Sequence, residues 1–287
     1  KLEAQGLRHA TVDEIRTAKA LPMKGVLGMK PRKDSVEEKC RLVICSNKEA
    51  PDGSFTKSLT VDTTTLRTVV AIGGLEDYWF GSVDYKAAFL NAPVVGSRVQ
   101  VVRLPRFLVT LGIISEAEQY RVVTHAVYGR RESPREWGIV RDNGMRGMKI
   151  FYNGDTIRLV QSECDPCLWR LKSSSGTIGL ATTHVDDVLV GAESRQLREL
   201  VLEGLGKLWK VSSTERLEHE AGAKMKYCGV MLSYVDRKIA GESRRFLKMD
   251  QADYVIAMLV KLGMDKCNPS PTPGIVGEED PDWEDIC

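Results

Sequence analysis

No stretch of this chain approaches the roughly 20 apolar residues needed to span a bilayer, and its first ten residues, KLEAQGLRHA, lack the apolar core of a signal peptide. A dominant charge is missing too: 41 Lys and Arg stand against 39 Asp and Glu, a formal charge of +2. Seven cysteines make an odd number without regular spacing, so free thiols in a reducing compartment are expected rather than a disulfide framework. There is no internal repeat, no long low-complexity tract and no initiator Met, and the chain is expected to be a piece of a longer polypeptide. A disordered tail, a collagenous repeat and a disulfide-stapled miniprotein are thereby excluded, and no membrane partner is expected. What remains is 287 residues with 43% hydrophobic content, enough to bury the core of one large domain or two small ones.

The near-neutral balance hides an asymmetry. Six carboxylates and no Lys or Arg lie in the last 14 residues, Gly274 to Cys287, which leaves 41 basic residues against 33 acidic ones in residues 1–273. A basic body suits a polyanionic partner, although ordinary surface charge would look the same, and the acidic end reads as a solvated linker.

Hydrophobic spacing and turn residues predict the elements. RLVICSN from Arg41 is expected to be a strand. Leu66, Val69, Val70 and Gly73 recur at helical spacing between Thr63 and Leu75. Trp79 to Asp84 is expected to be a buried strand. A helix is expected from Ser133, with Ser133 as its cap, Pro134 in the first helical position and Trp137, Val140 and Met145 on its apolar face. TIGLATTHVDDVLVGA, residues 177–192, has two apolar runs meeting at Val185-Asp186-Asp187, the pattern of a β-hairpin with an acidic tip. An amphipathic helix from Gln196 to Lys210, a strand pair around YCGVML and a helix from Gln251 to Leu262 follow, before Pro269, Pro271 and Pro273. Strands mixed with helices over this length predict an α+β protein.

The adjacent carboxylates Asp186 and Asp187 carry the first chemical signal. Two acids between apolar strands repel each other, and apolar surroundings raise the cost of their charge; a divalent cation relieves both. A solvated Asp-rich turn is the plain alternative. Asp84, ending an apolar strand, shifts that balance, because carboxylates from a strand end and a hairpin tip can together hold hard cations. Two such ions can stabilise both the attacking and the leaving oxygen of a phosphoryl transfer.

VDYKAAFLNAP (Val83 to Pro93), VYGRRESPREW (Val127 to Trp137), ECDPCLW (Glu163 to Trp169) and HVDDVLVGA (His184 to Ala192), in this order, resemble the reverse transcriptase of copia-type LTR retrotransposons. KCRLVICSN (Lys39 to Asn47) resembles that family's fingers segment. YCGVML (Tyr227 to Leu232) and QADYVIAMLVKLGM through PTP resemble its primer grip and thumb, so the resemblance spans about residues 20–273.

The resemblance implies a right-hand polymerase, with fingers and palm over residues 1–233, a thumb over 234–273 and an acidic connector over 274–287. Its palm would be an antiparallel sheet backed by helices, with Asp84 and Asp186 on neighbouring strands. It implies RNA-directed DNA polymerase activity on an RNA and DNA primer–template with dNTPs. Asp84, Asp186 and Asp187 would be catalytic and would hold two magnesium ions, or manganese. Phe89, five residues after Asp84, would exclude the ribose 2′-hydroxyl, a plain core position being the alternative; Tyr128 and Gly129 would lie beneath the incoming nucleotide, and Arg41 would grip its triphosphate. Cys228 and Gly229 would form the primer-grip turn. Other segments of a Pol polyprotein, RNase H and integrase, would belong to the parent chain. Nothing after Pro273 resembles RNase H, so no RNA-strand cleavage is expected. A cytoplasmic particle and then the nucleus are the locations the resemblance implies.

Two segments depart from the family pattern. His184 stands where the family usually has Tyr, and Arg130-Arg131-Glu132 stands where it commonly has Leu-Lys/Arg-Gln. They keep open a second reading, a catalytically decayed nucleic-acid-binding remnant. Cys164 and Cys167 have metal-ligand spacing but no second pair to complete a zinc site. Lys210 reads as a solvated helix-end residue before it reads as a proton donor to pyrophosphate.

Overall fold

The computed structural model describes residues 6–31, 36–48, 60–96, 99–220 and 222–268. In chain order it contains β1 (Leu7–His9), α1 (Val12–Thr17), β2 (Leu21–Pro31), β3 (Val36–Ile44), α2 (Thr63–Leu75), β4 (Trp79–Tyr85), β5 (Val101–Arg103) and α3 (Arg106–Thr110). Then come β6 (Tyr120–Val123), α4 (Ser133–Gly147), β7 (Lys149–Tyr152), β8 (Asp155–Gln161), β9 (Leu168–Lys172), β10 (Thr177–His184) and β11 (Asp187–Ala192). The chain continues through α5 (Arg195–Leu208), β12 (Val211–Leu217), β13 (Lys224–Tyr227), β14 (Val230–Ile239), β15 (Glu242–Asp250) and α6 (Ala252–Lys261). It is a mixed α+β protein, as expected. Among the described residues no helix is long and apolar enough to cross a membrane.

A seven-stranded sheet in the order β12-β4-β11-β10-β9-β8-β7 carries the centre of the molecule, and each of its pairings is antiparallel. Its central strands read as nearly continuous apolar runs because both faces are covered. On one face Val83, Tyr85, Val188 and Val190 pack with Trp137 and Met145 of α4 and with Leu197, Val201 and Leu205 of α5. On the other, Phe80 and Leu189 pack with Leu66, Val69 and Val70 of α2 and with Met225, Tyr227 and Leu232. α2 comes this close because it carries Gly73: a Cβ there would lie 2.2 Å from the Phe80 ring. Phe80 is fully buried, and burying such a ring stabilises the fold by about 2–3 kcal/mol.

A five-stranded sheet, β1-β6-β5-β2-β3, has its own core of Leu7, Leu21, Met23, Ile44, Val102 and Val123; its β2–β5 pairing is parallel. β2 and β3 form a long antiparallel hairpin of which only the second strand was expected. β13, β14 and β15 make a third sheet. The boundary expected at residues 233 and 234 falls inside β14. By compactness the described residues up to Met249 form one unit, and a second begins at Asp250. Within the second unit α6 ends as a helix should before a glycine: Gly263 takes φ 67° and the Met264 N–H closes onto the Leu259 carbonyl at 2.8 Å. Pro269, Pro271, Pro273 and the acidic segment lie outside the described residues.

Local chemistry explains most boundaries. Asp62 caps α2 by accepting the Thr64 N–H at 2.7 Å, and Ser194 caps α5 by accepting that of Leu197 at 3.0 Å. Ser133 differs from expectation. It is the first residue of α4, not its cap, because its hydroxyl is engaged elsewhere: it accepts the Val127 N–H at 3.0 Å and donates to the Val127 carbonyl at 2.8 Å. The expected helix over 196–210 stops at Leu208, and Lys210 uses its carbonyl to accept the Lys86 N–H at 2.8 Å.

Candidate active site

Asp84 is the next-to-last residue of β4, and Asp187 is the first of β11, directly opposite it in the ladder. Cross-strand partners share a face, so the two carboxylates project together from the face opposite α4 and α5. Asp186 occupies the two-residue turn between β10 and β11, and its carbonyl accepts the Tyr85 N–H at 3.0 Å. A carboxylate oxygen of each of Asp84, Asp186 and Asp187 lies within 4.8 Å of the others. No other group of His, Cys, Asp and Glu among the described residues has geometry fit for a metal ion.

Assembling three acids here is costly. Burial, then the charges of Asp84, Asp186 and Glu215, push the Asp187 carboxyl up to about 7. Burial, and among the charges Asp84, also raise Asp186, while His184 and Arg41 pull it down. At an effective dielectric of about 20, two unit charges 4.8 Å apart repel by about 3.5 kcal/mol. Oxygen-rich, anionic and half-buried, the three acids form a donor set suited to hard divalent cations such as magnesium or manganese.

Neighbouring elements hold each acid. Ser212 of β12 donates its hydroxyl to the Asp84 carboxylate and lies 3.2 Å from the Asp84 carbonyl. The hairpin turn is held from behind by α4: the Val185 carbonyl accepts the Trp137 indole N–H at 2.7 Å and an Arg141 guanidinium N–H at 2.9 Å. Val185 sits at φ 55°, a conformation in which a β-branched residue costs about 1–3 kcal/mol. None of Ser212, Trp137 and Arg141 was expected to serve the site. One signal was available: Arg141, four residues after Trp137, places a charge on the buried face of an amphipathic helix.

Beside the acids, Phe89, Tyr128 and Arg41 form a series. Phe89 meets Tyr128 edge to face with centroids 5.2 Å apart, and the Arg41 guanidinium lies 5.6 Å from the Tyr128 ring centre. Burial pushes the Tyr128 phenol up, as do the charges of Asp186 and Asp84, and Arg41 opposes them. Arg41 and Tyr128 line a cavity of about 250 Å³ together with Lys39, Lys86 and Ala87. Neither Lys39 nor Lys86 was singled out from sequence. Ala87, at φ 53°, reverses the chain after β4 and starts the short 3-10 turn carrying Phe89.

Gly129 takes φ 84°, and a Cβ there would lie 2.2 Å from the Ile44 carbonyl oxygen. The close approach it permits is to the chain's own β3, where the Ile44 N–H donates to the Tyr128 carbonyl at 2.9 Å. Cys228 and Gly229 form the tight turn between β13 and β14, both at positive φ, 47° and 79°. Burial first, with a contribution from the charges of Asp187 and Asp186, pushes the Cys228 thiol up to about 12.

His184 is half-buried, its Nδ1 has no hydrogen-bond partner among the described residues, and burial lowers its pKa below the usual imidazole range. Glu132 is paired with Arg130 at 3.4 Å. Cys164 is exposed while Cys167 is buried and pushed up to about 11. Asp165 between them builds a turn, accepting the Cys167 N–H at 2.8 Å and the Thr65 hydroxyl at 2.5 Å. The CxxC spacing is thus accounted for by local structure. Neither a scan of the sequence against protein-family models nor a search of curated proteins returns a match.

Proposed function

We propose that the chain is the reverse transcriptase portion of a copia-type retrotransposon polyprotein, an RNA-directed DNA polymerase that extends a primer with dNTPs. The observation that carries this reading is the convergence of Asp84, Asp186 and Asp187, three acids from distant parts of the sequence, within 4.8 Å of one another. In this reading the seven-stranded sheet is the palm of a right-hand polymerase, the five-stranded sheet belongs to its fingers, and the thumb begins near residue 234.

Asp84 and Asp186 would hold two magnesium or manganese ions, with Asp187 in support. Bound there, the ions would lower the barrier to attack by a primer 3′-hydroxyl on the α-phosphate of a dNTP, with pyrophosphate leaving. The chain's own residues would do the rest. Arg41, with Lys39 and Lys86 on the same cavity wall, offers positive charge to a triphosphate beside the acids. Phe89, backed by Tyr128, would present its ring to the sugar and leave no room for a 2′-hydroxyl. Cys228 and Gly229 would support the primer end. The partners are then an RNA or DNA template with its primer, dNTPs, and the RNase H and integrase segments of the parent polyprotein. The resemblance implies a cytoplasmic particle and then the nucleus.

Primer extension on an RNA template with a DNA primer, in magnesium and then in manganese, tests the reading beside an identically purified Asp186→Asn variant. Extension by the wild type, lost in the variant while the fold and most primer–template binding remain, is the expected result. An Asp186→Asn protein that extends at the wild-type rate refutes the assignment. His184 supports a second reading, a remnant that binds primer–template without extending it. Binding with steep salt dependence and no metal-dependent extension would select that reading. Glu132 shares the Arg130 guanidinium with Glu136, so its charge is only partly offset.

A further inference from the structure

We infer that Trp137 and Arg141 are positioning residues for the Asp186–Asp187 turn, and that α4 through them keeps the three carboxylates in metal-binding register. The inference rests on the polymerase reading above. Val185 precedes the two acids and holds a left-handed conformation that favours glycine. A two-residue turn with a β-branched residue in that conformation needs an external restraint, and the restraint is specific. The Val185 carbonyl oxygen has two lone pairs, and two N–H donors from one face of α4 meet it at 2.7 Å and 2.9 Å. Both side chains are sealed from solvent, Trp137 at 0% exposure and Arg141 at 1%.

Both donors are themselves fixed. Arg141 is held by Asp142, 2.9 Å from both Nε and Nη2, and Asp142 accepts the Gln161 side-chain amide at 3.2 Å. Gln161 also donates to the Pro166 carbonyl at 2.6 Å, which ties the end of β8 to the start of β9. The Trp137 ring is gripped edge-on by Tyr85, at 5.7 Å between centroids, and by Trp209, at 5.0 Å. Tyr85 follows Asp84 and donates its backbone N–H to the Asp186 carbonyl. One buried indole therefore touches the strand end bearing Asp84 and restrains the turn bearing the other two acids.

A residue serving only to fill this part of the core needs no guanidinium, whose burial is expensive unless every donor has a purpose. At the start of the same helix, one turn before Trp137, Ser133 holds the Val127 backbone, next to Tyr128. The nucleotide-facing segment and the metal-binding turn thus hang from one helix.

Two variants separate positioning from packing. Trp137→Phe keeps a ring and removes the N–H. Arg141→Lys keeps the charge that Asp142 needs and gives up the second donor. Each is compared with wild type for hydrogen exchange over residues 184–188 in metal-free protein, for Mn²⁺ binding by loss of the free-ion spin resonance, and for primer extension against Mg²⁺ concentration. The expected result is faster exchange confined to the turn and about tenfold weaker Mn²⁺ binding, the factor that matches loss of one hydrogen bond. The half-activating Mg²⁺ concentration should rise in proportion, with much of the rate recovered at saturating metal. Adding Val185→Gly, which removes the conformational penalty, should return Arg141→Lys toward wild-type Mn²⁺ affinity. If Trp137→Phe fails to fold, Arg141→Lys carries the test alone. Unchanged exchange and unchanged Mn²⁺ affinity in the folded variant would overturn the inference even in an active polymerase. A wild-type protein that binds no Mn²⁺ and extends no primer would instead overturn the polymerase reading, whatever the exchange rates.

Discussion

Replacing Asp187 with Asn should stabilise the metal-free protein, and only at high pH. Asp187 faces Asp84 across the ladder, with Asp186 and Glu215 adding their charges, and its carboxyl titrates at about 7. In the unfolded chain the same group titrates near 4. Between those values the folded state holds a proton that the unfolded state has released. Stability therefore falls as pH rises through the window from about 4 to 7, and the full penalty is present above it. For a fully buried group the difference would be worth about 4 kcal/mol. Asp187 keeps part of its surface in water, and screening reduces the figure to about 2 kcal/mol. Asn is nearly isosteric and carries no charge, so it escapes the penalty. At 2–4 °C per kcal/mol, melting at about pH 8.5 in EDTA should rise by about 4–8 °C, a gain that closes by about pH 4.5. Adding Mg²⁺ should raise the melting temperature of the wild type and have much less effect on the variant, because a bound cation offsets the same repulsion. Scanning calorimetry at both pH values decides. No gain at high pH, or an equal gain at low pH, refutes the account of the acids as a destabilising charge cluster.

Other expectations follow from neighbouring residues. Phe89→Ala should increase ribonucleotide incorporation relative to deoxyribonucleotide by about tenfold or more in single-turnover assays; unchanged sugar discrimination would leave Phe89 a core residue packed on Tyr128. Arg41→Ala should raise the KM for dNTP by about tenfold with little change in primer–template affinity, since a charge-assisted contact is worth about 1.5–3 kcal/mol; an unchanged KM removes Arg41 from the triphosphate site. Gly129→Ala should destabilise the fold by about 2–4 kcal/mol, because its Cβ would collide with the Ile44 carbonyl at a backbone angle that penalises any side chain; a loss below about 1 kcal/mol in denaturant unfolding would mean that β3 moves aside freely.

How far the site was legible follows from which contacts are local in sequence. α2 runs from Thr63 to Leu75, as its spacing predicts, because Asp62 caps it and its apolar stripe alone decides which face is buried. The β10–β11 hairpin was equally plain, since two apolar runs and the acidic tip between them lie within sixteen consecutive residues. Asp84 suggested itself as a strand-end carboxylate that could join that tip, but spacing could not show that they meet, as 102 positions separate it from Asp186 and periodicity carries no information about strand order. The same limit hid Ser212: its contact exists because β12 lies on the outer side of β4, a matter of topology. β2 was missed because its small and basic residues, among them Gly25 and Gly28, dilute the alternation that marks a strand. Arg141 is the most instructive case. Its spacing from Trp137 put a charge on the apolar stripe of α4, a conflict between pattern and residue type, and such conflicts in a foldable sequence tend to mark functional or strained sites. Here the conflict resolves at the Val185 carbonyl, where a charge in the core offsets strain in the turn that bears two acids. The sequence carried the anomaly, and only the fold supplied its partner.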